Sequence, residues 1–187
     1  VKRDRLAFVL NQRFEITIAE LDGAAVTPRL QPDATPPMFH SESAQYVVEV
    51  GDESAARELR LRYQGRLPGP NEGGGAIEEH LVELALYRTW FPEIVGATGL
   101  SYTMTAHLPT GFRAVANGVP TSVSEEGADE LVFAWSNQDT GFHDINLVGS
   151  ASPKWPEPSD AAAFAAPRRR TAGPSPTQCA AIGMRAR

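Results

Sequence analysis

The sequence predicts an all-β fold, an antiparallel β-sandwich or saddle-like domain with a disordered or poorly ordered C-terminal tail. Three features predict it: short segments of alternating apolar and polar residues, turn-forming dipeptides between them, and a change of composition near residue 150. Alternation with a period of two places one set of side chains on a buried face, as in a half-buried strand. Many such strands at close spacing indicate a sandwich or barrel. We therefore divide the chain into a β body, 1–150, and a tail, 151–187.

The first predicted strands lie close to the start of the chain. Residues 6–10 (LAFVL) are a short apolar run, and apolar residues occupy every second position of 14–18 (FEITI). Asp22-Gly23 follows, and this dipeptide supplies the positive φ angles of a tight hairpin turn. Residues 25–27 are then expected to form the returning arm.

The middle of the body contains two clear strands and two less regular segments. Residues 46–50 (YVVEV) are rich in β-branched side chains, and residues 59–64 (LRLRYQ) alternate apolar with charged or polar ones. Residues 64–76 contain turn formers without an apolar period, which predicts a loop. Residues 76–91 are compatible with either a helix or a strand. A helix would have an apolar stripe of Ile77, Leu81, Leu84 and Tyr87, and a strand would have an apolar face of Val82, Leu84 and Leu86. Intrinsic propensity favours the helix.

The clearest strand signal of the chain covers residues 100–108, where leucine, tyrosine, methionine and alanine alternate with serine, threonine and histidine. A turn at Gly111 leads to a strand over 112–116, after which Asn117-Gly118 is expected to reverse the chain. The last two predicted strands cover residues 130–135 and 145–148.

Composition separates the body from the tail and excludes one class of partner. The chain carries a net charge of −6, with −10 in residues 1–150 and +4 in residues 151–187. An acidic body argues against nucleic-acid binding, which requires a basic face. The tail is rich in Ala, Pro and Arg and poor in large apolar residues, so we expect disorder. The same bias would arise from an out-of-frame reading of GC-rich DNA.

Cysteine content and hydropathy bear on the compartment. The single Cys179 cannot form an internal disulfide, which favours a reducing, cytoplasmic location. No apolar run approaches the ~18 residues of a membrane span, and no signal peptide is recognisable behind the basic residues near Val1.

Histidines and glutamates do not show the spacing of a metal site. His80 and Glu83 stand three positions apart, and we interpret them as surface residues, because a zinc-protease helix requires H-E-x-x-H. His107 is expected on the solvated face of its strand. The other histidines, His40 and His143, are scattered. We therefore predict no metal ligand in this chain.

Nucleophilic and phosphate-binding motifs are also missing from the sequence. There is no G-x-S-x-G elbow, and Cys179 lies in the tail, so we predict no catalytic residue and leave the substrate-binding residues unknown. The glycines at 73–75 lack the Lys-Ser/Thr of a phosphate loop and indicate a linker. The arginines at 168–170 are expected to make no specific contact. The aromatic residues expected in the core are Trp90, Tyr102 and Trp135.

Five motifs together resemble the N-terminal β-domain of M1-family zinc aminopeptidases, of the shorter, divergent bacterial type. The resemblance covers roughly residues 5–150 in a consistent order. The matching segments are 6–11 with 16–26, 59–65 (LRLRYQG), 90–92 (WFP) followed by 102–109 (YTMTAHLP), 111–118 (GFRAVANG), and 133–135 with 146–149.

The resemblance implies an antiparallel β-domain that packs beside a thermolysin-like catalytic domain. In the family that second domain holds the zinc and the H-E-x-x-H helix, and the chain leaves the family pattern after about Gly149. The implied role is non-catalytic: to scaffold the catalytic domain, absent here, and to wall its substrate cleft. This hypothesis predicts no cofactor in this chain and self-association through the exposed docking face. The alternative is a stand-alone β-sandwich module that binds a protein, peptide or glycan.

Overall fold

The computed structural model confirms the predicted fold class. It describes residues 5–32, 34, 42–51, 58–67, 76–78, 80–85, 88–97, 99–138 and 144–151. This part of the chain contains strands, turns and one short 3-10 turn, with no α-helix. The strands are β1 (Arg5–Asn11), β2 (Phe14–Leu21), β3 (Ala24–Ala25), β4 (Arg29–Leu30), β5 (Ser43–Glu49), β6 (Leu59–Gly65), β7 (Ala76–Ile77), β8 (Leu81–Leu84), β9 (Glu93–Ile94), β10 (Tyr102–Pro109), β11 (Arg113–Ala116), β12 (Val119–Glu126), β13 (Glu130–Asn137) and β14 (Leu147–Ser150).

These strands form four small antiparallel sheets. Sheet A has the order β4-β5-β1-β9, and sheet B has the order β3-β2-β6. Sheet C has the order β11-β14-β8-β7, and sheet D has the order β10-β13-β12. Sheets A and B come mainly from the first part of the chain and sheets C and D from the second, so the molecule has two halves.

Each half has its own apolar core. The first-half core contains Phe8, Leu10 and Val48, with Phe14 and Tyr63 packed against it. The core of the second half is larger, and it includes all three of the aromatic residues predicted to be buried. Phe14 also packs against the second core, so the two cores are in contact. The fully buried aromatic and sulfur-containing side chains, Phe8, Phe91 and Met104, are divided between them.

The ambiguous segment 76–91 forms strands, not a helix, where it is described. β8 pairs with β14 through Leu84 and Val82, and both side chains face the second core. The long-range pairing outweighs the helical propensity of this stretch, because each residue gains a ladder hydrogen bond and a buried contact together. Leu86 and Tyr87 lie outside the described residues.

The turn at Asn117-Gly118 occurs where the sequence predicts it, but it does not close a hairpin. β11 belongs to sheet C and β12 to sheet D, so the chain passes from one layer to the other here. Gly118 has φ of 100°, and a Cβ atom on it would lie 2.7 Å from the carbonyl oxygen of Ser136. Both the backbone conformation and the close approach require glycine at this corner.

Strand β12 was not predicted from the sequence. Among the described strands its one partner is β13, and nearly all of its side chains are exposed. An edge strand without a buried face needs no apolar alternation, so the pattern used to find strands is missing. A register irregularity between Pro120 and Ser122 fits the same edge position.

The hairpin predicted at Asp22-Gly23 is present and provides a test of turn energetics. Asp22 has φ of 50° and Gly23 has φ of 81°, and they join β2 to β3. We expect Gly23→Ala to lower the free energy of unfolding by about 1 kcal/mol, because alanine in the left-handed region is strained while the space around it is open. Urea denaturation measures the change. Gly23→Asn is the control and should cost less, since asparagine tolerates this conformation; equal costs for both variants would contradict the explanation.

Several sequence predictions lie outside the described residues. These are the disordered tail beyond residue 151, most of the loop predicted over 64–76, and the residues His40, His143, Cys179, 73–75 and 168–170. Within the described residues there is no helix of the length and apolar character that a bilayer crossing requires.

Candidate functional site

Segment 88–94, called here the junction segment, connects the two halves and contains the Trp-Phe-Pro motif. The indole Nε1 of Trp90 donates a hydrogen bond to the carbonyl oxygen of Ile145 at 2.9 Å. The carbonyl oxygen of Trp90 accepts one from the hydroxyl of Tyr63 at 3.0 Å. Burial raises the pKa of Tyr63 well above its usual range, which keeps this hydroxyl protonated as a donor. Trp90 is therefore hydrogen-bonded to both halves.

Asn11, at the end of β1, holds the junction segment from the other side. Its backbone N–H donates to the carbonyl oxygen of Thr89 at 2.9 Å, and its side-chain Nδ2 donates to that of Arg88 at 2.9 Å. Asn11 and Thr89 are each 1% exposed, and Thr89 adopts a left-handed φ of 44°. The guanidinium of Arg88 lies 3.4 Å from the carboxylate of Glu42. These contacts satisfy the buried amide of Asn11 and the carbonyl oxygens of Arg88 and Thr89, so they stabilise this part of the junction segment.

Two carboxylates come close together at the end of the junction segment. Burial raises the pKa of Glu93 to about 7, and the negative charge of Asp144 adds to the increase. Burial and the same charge raise the pKa of Tyr102. Oδ2 of Asp144 accepts a hydrogen bond from Nδ2 of Asn146 at 2.5 Å, and its buried Oδ1 accepts none from the described residues. Glu93 can therefore exchange a proton near neutral pH at the contact between the halves.

Two adjoining hollows lie beside sheets A and B and share Val26 and Thr27. Their volumes are about 280 and 450 Å³, and Tyr46 and Phe14 line the larger one. The residues lining the two hollows include neither histidine nor cysteine, and neither Glu93 nor Asp144 lines them. Their polar side chains include those of Glu15, Glu49 and Thr27.

An exposed cluster on sheet D contains His107, Glu126 and Glu130. Nδ1 of His107 lies 3.4 Å from Oε2 of Glu130 and 3.6 Å from Oε2 of Glu126. Each residue offers one ligand atom, and all three atoms lie within 4.8 Å of one another. His107 is on the polar face of β10, as the sequence predicts, but it is placed between two carboxylates.

His80 is exposed and Glu83 is half-buried in the described structure. Glu83 lies in strand β8, and the exposed His80 is the residue directly before that strand. In a strand, side chains three positions apart point to opposite faces, so the H-x-x-E spacing does not bring them together. The His107 cluster was missed for the converse reason. Glu126 lies in β12, the strand without alternation, so no residue pattern indicates that this carboxylate neighbours β10.

The zinc centre implied by the family resemblance does not fit the residues present. That centre requires two histidines one helical turn apart with a glutamate between them, and the sequence contains no H-E-x-x-H. The exposed cluster offers one imidazole and two carboxylates from three strands. We therefore assign no step of peptide hydrolysis to this chain.

Comparison with solved structures shows which known fold the chain has. It is similar to the M1 zinc metallopeptidase from Deinococcus radiodurans, with a TM-score of 0.57, 16% sequence identity, and coverage of 80% of this chain and 35% of that chain. A mutant of the Deinococcus enzyme bound to a Tyr-Ser-Ala substrate gives a TM-score of 0.55 at 18% identity, over 79% of this chain and 34% of that one. A two-domain M1 zinc metallopeptidase mutant bound to L-arginine gives a TM-score of 0.55 at 17% identity. That match covers 79% of this chain and 35% of the other.

These similarities concern the fold and only part of the matched proteins. The chain spans about a third of the length of the solved metallopeptidases that it matches. No family model matches the sequence, and no curated protein matches it. The described β-sheets thus have the fold of about one third of an M1 zinc metallopeptidase.

Proposed function

We propose that this chain is the N-terminal β-domain of an M1-like zinc metallopeptidase of the aminopeptidase type, and that it has no catalytic role of its own. Its role is to scaffold a separate catalytic domain and to form one wall of the substrate cleft. The observation that carries the proposal is the structural match to about a third of a two-domain M1 enzyme. The single Cys179 favours a reducing compartment, so a cytoplasmic location is part of the proposal.

The extent of the match supports the proposed domain boundary. The match with the Deinococcus enzyme covers 80% of this chain, and residues 1–150 are the same fraction of the 187 residues. The motifs of the family resemblance occur in order within those residues, and Trp90, in one of them, is hydrogen-bonded to both halves. These two points support the proposed division into a β-domain over 1–150 and a separate tail over 151–187.

We place the docking surface for the catalytic domain on the outer face of sheet C. This face carries Val115, which is 52% exposed, beside Val148 on the neighbouring strand β14. β14 is the last described strand. Glu83 in β8 pairs with Val148, so this face is partly apolar and partly charged. Such a face suits the docking of a catalytic domain, and without that domain its apolar part favours self-association.

The full chain tests the proposal in two assays. We expect no zinc-dependent turnover of aminoacyl anilides, and we expect concentration-dependent association in analytical ultracentrifugation. Val115→Glu should abolish the association, because a charge on the docking surface opposes its burial. Val119→Glu is the matched control, since Val119 is exposed on β12 outside sheet C, and it should leave association unchanged.

Two results would contradict the proposal. Zinc-dependent hydrolysis by the chain alone would show that it has its own active site. A chain that stays monomeric at all concentrations and binds no apolar dye would instead match a stand-alone β-sandwich module, which needs no exposed docking surface.

A further inference from the structure

We propose that His107, Glu126 and Glu130 form a binding site for one divalent transition-metal ion on the outer face of sheet D. The site is separate from the zinc centre of the metallopeptidase family, because its ligands come from β-strands of this chain. It does not depend on the proposed function.

The strand register brings the three side chains to one place. Glu126 and Glu130 are direct cross-strand partners in β12 and β13. His107 pairs with Val132 in β13 and is therefore a diagonal neighbour of Glu130 on the same face. The side chains that alternate with these in β10 and β13 face the core, so the register fixes the three ligands on the outer surface.

The distances between the ligand atoms fit a shared ion. Zinc lies about 2.1 Å from imidazole nitrogen and carboxylate oxygen, so two such ligands at the tetrahedral angle are about 3.4 Å apart. The imidazole Nδ1 of His107 is 3.4 Å from Glu130 Oε2 and 3.6 Å from Glu126 Oε2. The two carboxylate oxygens lie within 4.8 Å of each other, so side-chain rotation on strands that are already paired can bring all three atoms around one ion.

The charge around the cluster also favours a cation. Carboxylates directly opposite each other on paired strands repel, which is unfavourable unless a positive charge lies between them. The sequence has no lysine or arginine between Arg113 and Lys154. The carboxylates of Glu126 and Glu130 both approach the imidazole of His107.

Exposure gives the ion an entry path and leaves room for water. The side chains of Glu126 and Glu130 are 65% and 37% exposed, and that of His107 is 33% exposed. Three protein ligands with an open side accept a metal ion that retains bound water.

The donor set selects the class of metal. One imidazole nitrogen with two carboxylate oxygens suits zinc and its first-row neighbours, whereas magnesium and calcium are bound through oxygen alone. We therefore expect the site to bind Zn²⁺ in preference to Mg²⁺.

Calorimetric titration of the full chain with zinc chloride, in a buffer that does not bind metals, tests the site. We expect one zinc ion per chain at this cluster, with no comparable binding of magnesium chloride. The variants His107→Ala, Glu126→Gln and Glu130→Gln should each weaken zinc binding by roughly tenfold or more, since each removes one of three ligands. In nitrogen NMR spectra of the wild type, zinc should shift the side-chain Nδ1 resonance of His107.

Two matched controls separate this site from zinc binding elsewhere. Glu125→Gln changes the neighbouring carboxylate, which lies on the opposite face of β12. His80→Asn removes an exposed histidine that directly precedes β8, in sheet C. Both should bind zinc as the wild type does. If the wild type binds no zinc, His107 contacts the two carboxylates without a metal, and the proposal fails. Unchanged zinc binding in all three ligand variants, or an unmoved His107 resonance, would also overturn it. None of these results bears on peptidase activity, so failure here is distinct from failure of the proposed function.

Discussion

Trp90→Ala is expected to lower the free energy of unfolding by about 4 kcal/mol, the largest effect of any single change considered. Trp90 is 3% exposed, and its ring packs edge-on against that of Phe91 with the ring centroids 5.4 Å apart. Truncation leaves a cavity beside Phe91 and deprives the carbonyl oxygen of Ile145 of its donor. Because total stability for a small domain is roughly 5–15 kcal/mol, this loss removes much of it. Urea denaturation followed by circular dichroism measures the change.

Two further variants separate the contributions of Trp90. Trp90→Phe keeps most of the ring but loses the indole N–H, so it should cost about 2 kcal/mol from the hydrogen bond and the smaller volume together. Val119→Ala, at a valine that is 67% exposed, is the control and should change stability by less than about 0.5 kcal/mol. A cost below about 1 kcal/mol for Trp90→Ala would mean that the two halves do not depend on the junction segment.

Glu93→Gln is expected to stabilise the protein at pH 8 and to have almost no effect at pH 4. Burial, with the charge of Asp144 added, raises the pKa of Glu93 to about 7 in the folded state, above the value of 4.5 that it has without the fold. The folded state therefore binds this proton more tightly than the unfolded state. Stability from this group is fully present below pH 4.5 and is lost as the pH rises towards 7.

The size of this effect follows from the shift in the pKa of Glu93. The full shift corresponds to about 3 kcal/mol, and partial solvation of the carboxyl group reduces it to about 2 kcal/mol. Glutamine has no charge to bury, so the difference in unfolding free energy between variant and wild type should grow from near zero at pH 4 to this value at pH 8. Urea denaturation across that pH range gives the difference directly.

Glu125→Gln is the matched control for the pH experiment, because it removes an exposed carboxylate. Its difference from the wild type should stay within about 0.5 kcal/mol across the pH range. Asp144→Asn should lower the pKa of Glu93 while burial keeps it above the ordinary value. A pH-independent effect of Glu93→Gln would show that the pKa of Glu93 is the same in the folded and unfolded states, against the raised pKa.

Prediction from the sequence succeeded where one face of a strand is buried. In β10 the alternation of Tyr102, Met104, Ala106 and Leu108 matches their burial. In β6 the apolar residues are half-buried and the arginines exposed. Burial of one face selects residue types directly, so the pattern is present in the chain itself. It is missing in β12, and that strand was therefore not predicted.

The candidate metal site could not be predicted because its parts are far apart in sequence and belong to different strands. His107 is visible as a residue on a polar strand face, and Glu126 and Glu130 as acids near the turn residues Gly127 to Asp129. Their proximity depends on the order β10-β13-β12 and on the register between these strands. Strand order and register are set by long-range packing, which local residue patterns do not specify.

The sequence by itself determined the all-β class, the hairpin at Asp22-Gly23 and the burial of Trp90, because each depends on residue type and local spacing. Only the tertiary structure decided that Asn117-Gly118 links two sheets and that segment 76–91 contributes strands. It also placed Glu93 near Asp144, and His107 near two glutamates. The physical reason is the same in each case: these arrangements depend on contacts between residues distant in sequence, whose free energy is gained only when the sheets pack together.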